Sequence, residues 1–282
     1  RSNQPSAALN TKFININLAL FGEDRDDITQ LDWVRTQSRH QIYLIDSAQS
    51  VKPADLPKKI LDELSTKARE EASFFHLASQ MRINGGNDYV DYVGRVLSGE
   101  EVPRQTFGTY DFRFFESAEA MRKEIMKRDR EHGLSRLVAG YAWPWNSKAD
   151  PAAHDIEIEG MQLFWNRTIV DWINSDTSAE EVGSIHTVQG YDLNYAGVII
   201  GRDLGFDPAT GKMVFHRENY FDKKGKENNP RLGITYTDDD LLDYVVNIYR
   251  VLMTRGIRGT YVYVCDEDLR NHLEKSLGYT NR

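Results

Sequence analysis

The chain is 282 residues long, 40% hydrophobic and 28% charged, with a net charge of −8 at neutral pH. Its longest apolar stretches are strand-sized, far short of the roughly 20 residues that span a bilayer, and no charged-then-apolar leader opens it. Neither membrane insertion nor secretion is expected, and a cytoplasmic protein is. A single cysteine, Cys265, excludes an internal disulfide framework and a cysteine-rich zinc site, and its apolar neighbours Tyr263 and Val264 mark it as a small buried side chain. The acidic balance argues against a simple nucleic-acid binder, although Lys127, Arg128 and Arg130, and then Lys223, Lys224, Lys226 and Arg231, form local basic clusters. The chain opens on Arg1, and residues 1–9 read as loop, so a piece of a longer protein is expected.

In chain order, residues 31–39 read as the end of a helix. Gln41, Ile42, Tyr43, Leu44 and Ile45 then read as a strand buried on both faces, closed by the polar run Asp46, Ser47, Ala48, Gln49. Pro53 and Pro57 mark a domain boundary, followed by a helix over 58–71. From there strand and helix signals alternate. Strands are predicted at 74–77, 110–115, 137–141, 182–186, 197–200 and 260–264. Helices are predicted at 88–97, at 117–131 with Ser117 as its cap, and over the stripe Leu241, Val245, Ile248, Leu252. This alternation predicts an α/β fold with a mainly parallel sheet flanked by helices, and a polar insertion with a hairpin over 202–237. In such folds ligands sit beyond the carboxyl ends of the strands, so the polar residues there are the first candidates.

Four segments carry candidate chemistry. Asp46 and Gln49 follow the first strand, where a glutamine can bond a terminal phosphate or its attacking water, or simply stabilise the turn. Gln80 and Arg82 follow the second; an arginine fork suits phosphate oxygens, and a surface salt bridge is the bland alternative. His186, Thr187, Gln189, Gly190 and Asp192 lie between two apolar strands and can contact phosphate or sugar, although a glycine in a connecting turn is commonplace. Thr254 and Arg255 end the last long helix, where the dipole alone favours a cation, and where an arginine can also neutralise charge on a transferred phosphoryl group.

The order of these segments is more specific than any one of them. Strand-D-x-x-Q, Q-x-R, T-x-Q-G-x-D and L-x-T-R-G resemble the later motifs of superfamily-one helicases. With Asp32-Trp33, the stretch 49–53, Val138 to Trp143, Gly183 to Tyr195 and Val251 to Gly256, the chain is similar to the Schlafen-type DNA/RNA helicase domain family from about Asp32 to Leu273. The resemblance implies a second, RecA-like helicase lobe over 58–282, preceded over 1–57 by the tail of the first lobe. It implies Gln49 as the sensor of the terminal phosphate and Arg82 as an arginine reaching that phosphate. Thr187, Gln189, Gly190 and Asp192 become the segment linking nucleotide state to nucleic acid, and Arg255 the arginine finger beside Thr254. It further implies ATP and Mg2+ as cofactors of the intact protein, nucleic acid (single-stranded DNA or RNA) as partner, and a missing N-terminal lobe. One departure is plain: the family's glycine-rich phosphate loop and its Asp-Glu magnesium motif do not occur in the 282 residues. The chain by itself is therefore expected to be inactive.

Further readings stay open at this stage. A module that binds nucleic acid or protein without turnover is the rival class. Asp155, Glu157 and Glu159, alternating with Ile156 and Ile158, would place three carboxylates on one strand face, for nuclease metal chemistry or as an ordinary exposed edge. Trp143 and Trp145, together with His186, are candidate nucleic-acid contacts, with core packing the alternative for the tryptophans.

Overall fold

The computed structural model describes residues 11–46, 50–77, 81–188 and 190–277. The chain divides into two compact units, Arg1–Leu77 with Asp222–Tyr244 and Ala78–Phe221 with Val245–Arg282, each taken over its described residues. Among those residues no helix is long and apolar enough to cross a membrane.

The first unit contains helices α1 (Thr11–Phe21), α2 (Gln30–Gln37) and α3 (Lys58–Glu70). Its organising residue is Asn17, fully buried, which donates to Asp24 at 2.6 Å and accepts the Trp33 indole N–H at 2.7 Å. One residue earlier, the Asp32 carboxylate accepts from both the amide and the hydroxyl of Thr29 at 2.8 Å each, satisfying a donor that a helix start leaves orphaned. The Asp32-Trp33 pair is thus a local folding device. Two expected strands are absent. Residues 41–45 and 74–77 adopt no ladder, and Ile42, Leu44, Phe75 and Leu77 are 93, 85, 84 and 81% exposed. Strand propensity reflects packing against neighbours on a sheet, and no strand pairs with either segment among the described residues.

The second unit is built on a parallel five-stranded sheet ordered β1-β9-β6-β2-β5, so the expected mainly parallel α/β architecture of a RecA-like lobe is what forms. Its chain order is α4 (Gly86–Leu97), β1 (Asp111–Phe114), α5 (Ala118–His132), β2 (Ser135–Ala139), the hairpin β3 (Ile156–Ile158) and β4 (Met161–Leu163), then β5 (Val182–Ser184), the short α6 (Ile185–Val188) and β6 (Leu193–Ile200). The hairpin β7 (Leu204–Asp207) and β8 (Lys212–Phe215) follows, then α7 (Asp238–Met253), in which the boundary at Tyr244 falls, β9 (Gly256–Val264) and α8 (Glu267–Leu277). Period-two alternation sorts the strands. Tyr195 and Ile199 of β6 and Tyr261 and Tyr263 of β9 join Ala118, Met121 and Ile125 of α5 in one core. Ser117 caps α5 as expected, accepting from the Ala120 amide at 3.4 Å.

The acidic strand does not form the carboxylate face expected of it. Only residues 156–158 are strand. Asp155 is buried and accepts from the Ser147 amide, the Ser147 hydroxyl and the Trp165 amide. Glu159 stands in a left-handed turn, with φ of 52°, and accepts from the Ala118 amide at 3.1 Å and the Tyr263 hydroxyl at 3.0 Å. Glu157 and Glu159 are exposed, Glu159 with its carboxylate engaged by those two donors, and no group of carboxylates, histidines or cysteine suited to a metal exists among the described residues.

Cys265 follows β9 and is partly rather than fully buried, and desolvation pushes its thiol up to about 12. At pH 8 the thiolate fraction falls about a thousandfold below that of a free cysteine, and only the thiolate is nucleophilic. Alkylation of Cys265 by iodoacetamide is therefore expected to be slow in the native protein and fast in denaturant. Equal rates in both states would contradict the burial.

Candidate nucleotide-coupling site

Three of the four candidate segments converge at one corner of the second unit. Arg82 donates through Nη2 to the Thr254 carbonyl at 3.1 Å and holds its Nε 3.3 Å from Asp192 Oδ1. Arg255 is buried, at 3% exposure, and its Nη1 lies 3.5 Å from the Tyr191 carbonyl. Backbone bonds lock the corner: Leu193 N to Arg255 O at 3.0 Å and Asn84 N to Ile257 O at 2.9 Å. Residues 82, 190–192 and 254–255 are thus fixed against one another across some 170 positions of sequence.

The corner lies at the amino ends of β6 and β9, opposite to the carboxyl ends that parallel-sheet precedent recommends. The reason is the C-terminus of α7. Its last carbonyls have no partner within the helix and sit at the negative end of its dipole. The Met253 carbonyl takes the Tyr89 hydroxyl at 2.9 Å and the Thr260 hydroxyl at 3.0 Å, and the Thr254 carbonyl takes Arg82. Desolvation raises the Tyr89 and Tyr110 hydroxyls well above the ordinary tyrosine range, so both stay protonated donors. Capping thus accounts for one contact of Arg82. The ion pair with Asp192, half-exposed on both sides, adds at most about 1 kcal/mol. Gly256 follows Arg255 where a Cβ would come within 2.0 Å of the Gly259 carbonyl oxygen, so only glycine admits this turn into β9.

The other predicted residues divide. Thr187 is buried with its hydroxyl turned inward, donating to Asn166 Oδ1 at 2.7 Å and accepting from the Ser184 amide at 3.0 Å. In this conformation it organises its loop and offers nothing to a ligand directly. Asn166, which sequence reasoning missed, also accepts from the Ser184 amide at 2.9 Å and holds a left-handed φ of 38° that asparagine tolerates. Gly190 has φ of 98°, a conformation that favours glycine. Thr254 donates its hydroxyl back to the Arg250 carbonyl at 2.9 Å. Gln49, Gln80 and Gln189 lie outside the described residues. Asp46 is exposed in the first unit, beyond a segment that is extended but is not a strand.

His186, Trp143 and Trp145 lie elsewhere in the second unit. His186 is exposed, its ring 5.5 Å from that of Tyr141. Trp143 and Trp145 are half-buried and pack against the core, Trp143 with its ring 6.4 Å from that of Trp165 and Trp145 with its indole N–H on Ser147 at 3.1 Å. Core packing therefore engages both tryptophans, with one side of each left accessible.

Cations and fixed donors converge at the amino-end corner, but no glycine-rich phosphate loop occurs in the sequence to cradle a triphosphate.

The sequence profile described as Schlafen group 3, DNA/RNA helicase domain matches residues 21–266. An uncharacterized protein of Saccharomyces cerevisiae is 28% identical over 237 residues, which cover 77% of this chain and 50% of the yeast protein. The chain thus spans about half the length of that relative. No solved structure matches it. With the profile covering most of the chain and its helicase-like motifs gathered at one corner, this chain belongs to the Schlafen group 3 DNA/RNA helicase domain family.

Proposed function

We propose that this chain is the responding part of a nucleic-acid-dependent ATPase, helicase-like in mechanism, whose nucleotide cradle is supplied by sequence outside it. The observation that carries this reading is the convergence of Arg82, Asp192 and Arg255 from three distant segments onto one corner. Packing alone needs no such set of charges, because helix C-termini are routinely capped by a single glycine.

Within this reading residues 58–282 belong to the second helicase lobe and residues 1–57 to the tail of the first. ATP, held with Mg2+ by the remainder of the intact protein, supplies the transferable phosphoryl group. The chain's own residues answer to its charge. Arg82 is already oriented by Thr254 and Asp192, and an anion nearer than Asp192 competes for its fork. Arg255 acts as the finger. Its 3.5 Å contact with the Tyr191 carbonyl is a weak hydrogen bond, which a charged phosphoryl oxygen outcompetes as the side chain moves. Because Leu193 N holds Arg255 O, the same movement pulls on the segment 185–192, which links charge at the corner to the exposed His186. Gln49 senses the terminal phosphate, and unpaired DNA or RNA is the partner.

The 282-residue chain alone is expected to hydrolyse ATP no faster than buffer, because backbone donors and the lysine of a phosphate loop are absent. Steady turnover by the pure chain, abolished by Arg255→Ala, would refute this division of labour. A chain that binds oligonucleotides while the intact protein also fails to hydrolyse ATP would instead establish the non-motor binding module.

A further inference from the structure

One exposed surface of the second unit is held more rigidly than a solvated loop requires. Two buried carboxylates anchor it. Asp155, 5% exposed, ties the loop after Trp143 to the segment after β4 through the Ser147 amide at 2.7 Å and the Trp165 amide at 2.8 Å. Glu181, 1% exposed, accepts from the Arg167 amide at 2.9 Å and the Trp172 indole at 2.8 Å.

Outward from this scaffold stand cations laid against aromatic rings. The Arg167 guanidinium lies over the Phe164 ring, 3.6 Å from its centroid, and its Nη2 donates to the Pro151 carbonyl at 3.2 Å. The His154 ring lies 4.4 Å from the same Phe164 ring, tilted by 34°. Asn146 joins the two halves by donating to the His154 carbonyl at 3.2 Å, and beside it the Lys148 ammonium sits 5.6 Å from the Trp145 ring. Arg167, His154 and Lys148 are exposed. Asp150, a carboxylate on the same loop, is occupied by the Ala152 amide at 3.0 Å.

We propose that this ledge is a contact surface for unpaired nucleic acid, a second foothold that deepens the function proposed above and rests on it. The observations fit that occupant. Planar cations and rings stack on any base, and the N–H edges of Arg167 with the Lys148 ammonium neutralise phosphate. Side chains already pinned by neighbours lose little further freedom on binding. A duplex hides its base faces, so the ledge favours single strands.

The test is fluorescence anisotropy of the 282-residue chain with a labelled 20-nucleotide oligothymidylate and with a duplex of the same length. The pair Lys148→Glu with Arg167→Glu is compared with Lys59→Glu with Lys67→Glu, an equal charge change on the exposed face of α3. Circular dichroism confirms that each variant folds. The ledge pair is expected to weaken single-strand binding at least tenfold and the α3 pair no more than two- to threefold. Trp145→Leu is expected to lose part of the tryptophan quenching that binding produces. Equal losses in both pairs, equal affinity for duplex and single strand, or unchanged binding by the ledge pair would overturn the ledge and leave the proposed function standing. No binding by the wild-type chain to any oligonucleotide would remove the nucleic-acid contact assigned to this chain, and the ledge with it.

Discussion

In the intact protein, Arg255→Ala is expected to lower nucleic-acid-stimulated ATP hydrolysis by about 10³-fold or more while leaving ATP binding within a few-fold, as loss of an arginine finger does. The structure makes a sharper version available. Arg255 is 3% exposed, so alanine leaves a hole and removes the contact to the Tyr191 carbonyl in the turn before β6. Arg255→Lys keeps the charge and most of the stem, and it is expected to fold with a melting temperature close to wild type. It should still lose most of the stimulated rate, because an ammonium lacks the planar fork that meets two phosphate oxygens. A lysine variant that folds normally and turns over at the wild-type rate would show that position 255 supplies only packing and charge.

The second large effect is on stability and comes from Asp203, just beyond β6. Its carboxyl is fully buried, and desolvation raises it to about 7 despite the hydrogen bond from the Tyr249 hydroxyl at 2.5 Å. The folded state therefore holds the proton more tightly than the unfolded state. The stability associated with that proton is present in full below the ordinary carboxyl pKa near 4 and is lost as pH rises to about 7. The span corresponds to roughly 4 kcal/mol. Asp203→Asn retains the shape and an acceptor for Tyr249 and cannot ionise. Its melting temperature is expected to exceed that of wild type by roughly 5–10 °C at pH 8 and to converge on it near pH 4.5. The readout is the slope with pH, which survives any constant cost of the amide. A difference between the two proteins that stays the same from pH 4.5 to pH 8 would show that Asp203 does not titrate in this range.

Most of the second unit was legible because its signals are local and periodic. The stripe Leu241, Val245, Ile248, Leu252 lies on α7, Ser117 caps α5, and the apolar runs at 137–139, 197–200 and 260–264 are strands of the sheet. The same periodicity misled at 41–45 and 74–77, because composition says that a segment suits a sheet and not that a neighbour will pair with it. At the site, motif order found Arg82, Asp192 and Arg255. It did not foretell that Arg82 meets the Thr254 carbonyl just past α7, since that depends on where α7 stops, nor that Arg255 meets the Tyr191 carbonyl. Roles created by burial were the least legible. Asp155 reads as an acid on a strand and is the anchor of a loop, and Asp203 reads as one of many aspartates and is the most perturbed carboxyl resolved among the described residues. Asn166 carried no signal beyond following an apolar run.

The central claim is that charge gathered at the amino ends of β6 and β9 couples a nucleotide held elsewhere in the protein to nucleic acid. It is tested most directly by the steady-state rate of ATP hydrolysis of the intact protein with and without a saturating single-stranded oligonucleotide. The account predicts stimulation of tenfold or more that disappears in Arg255→Lys. Hydrolysis at one rate with or without the oligonucleotide, and unchanged by the substitution, would contradict it.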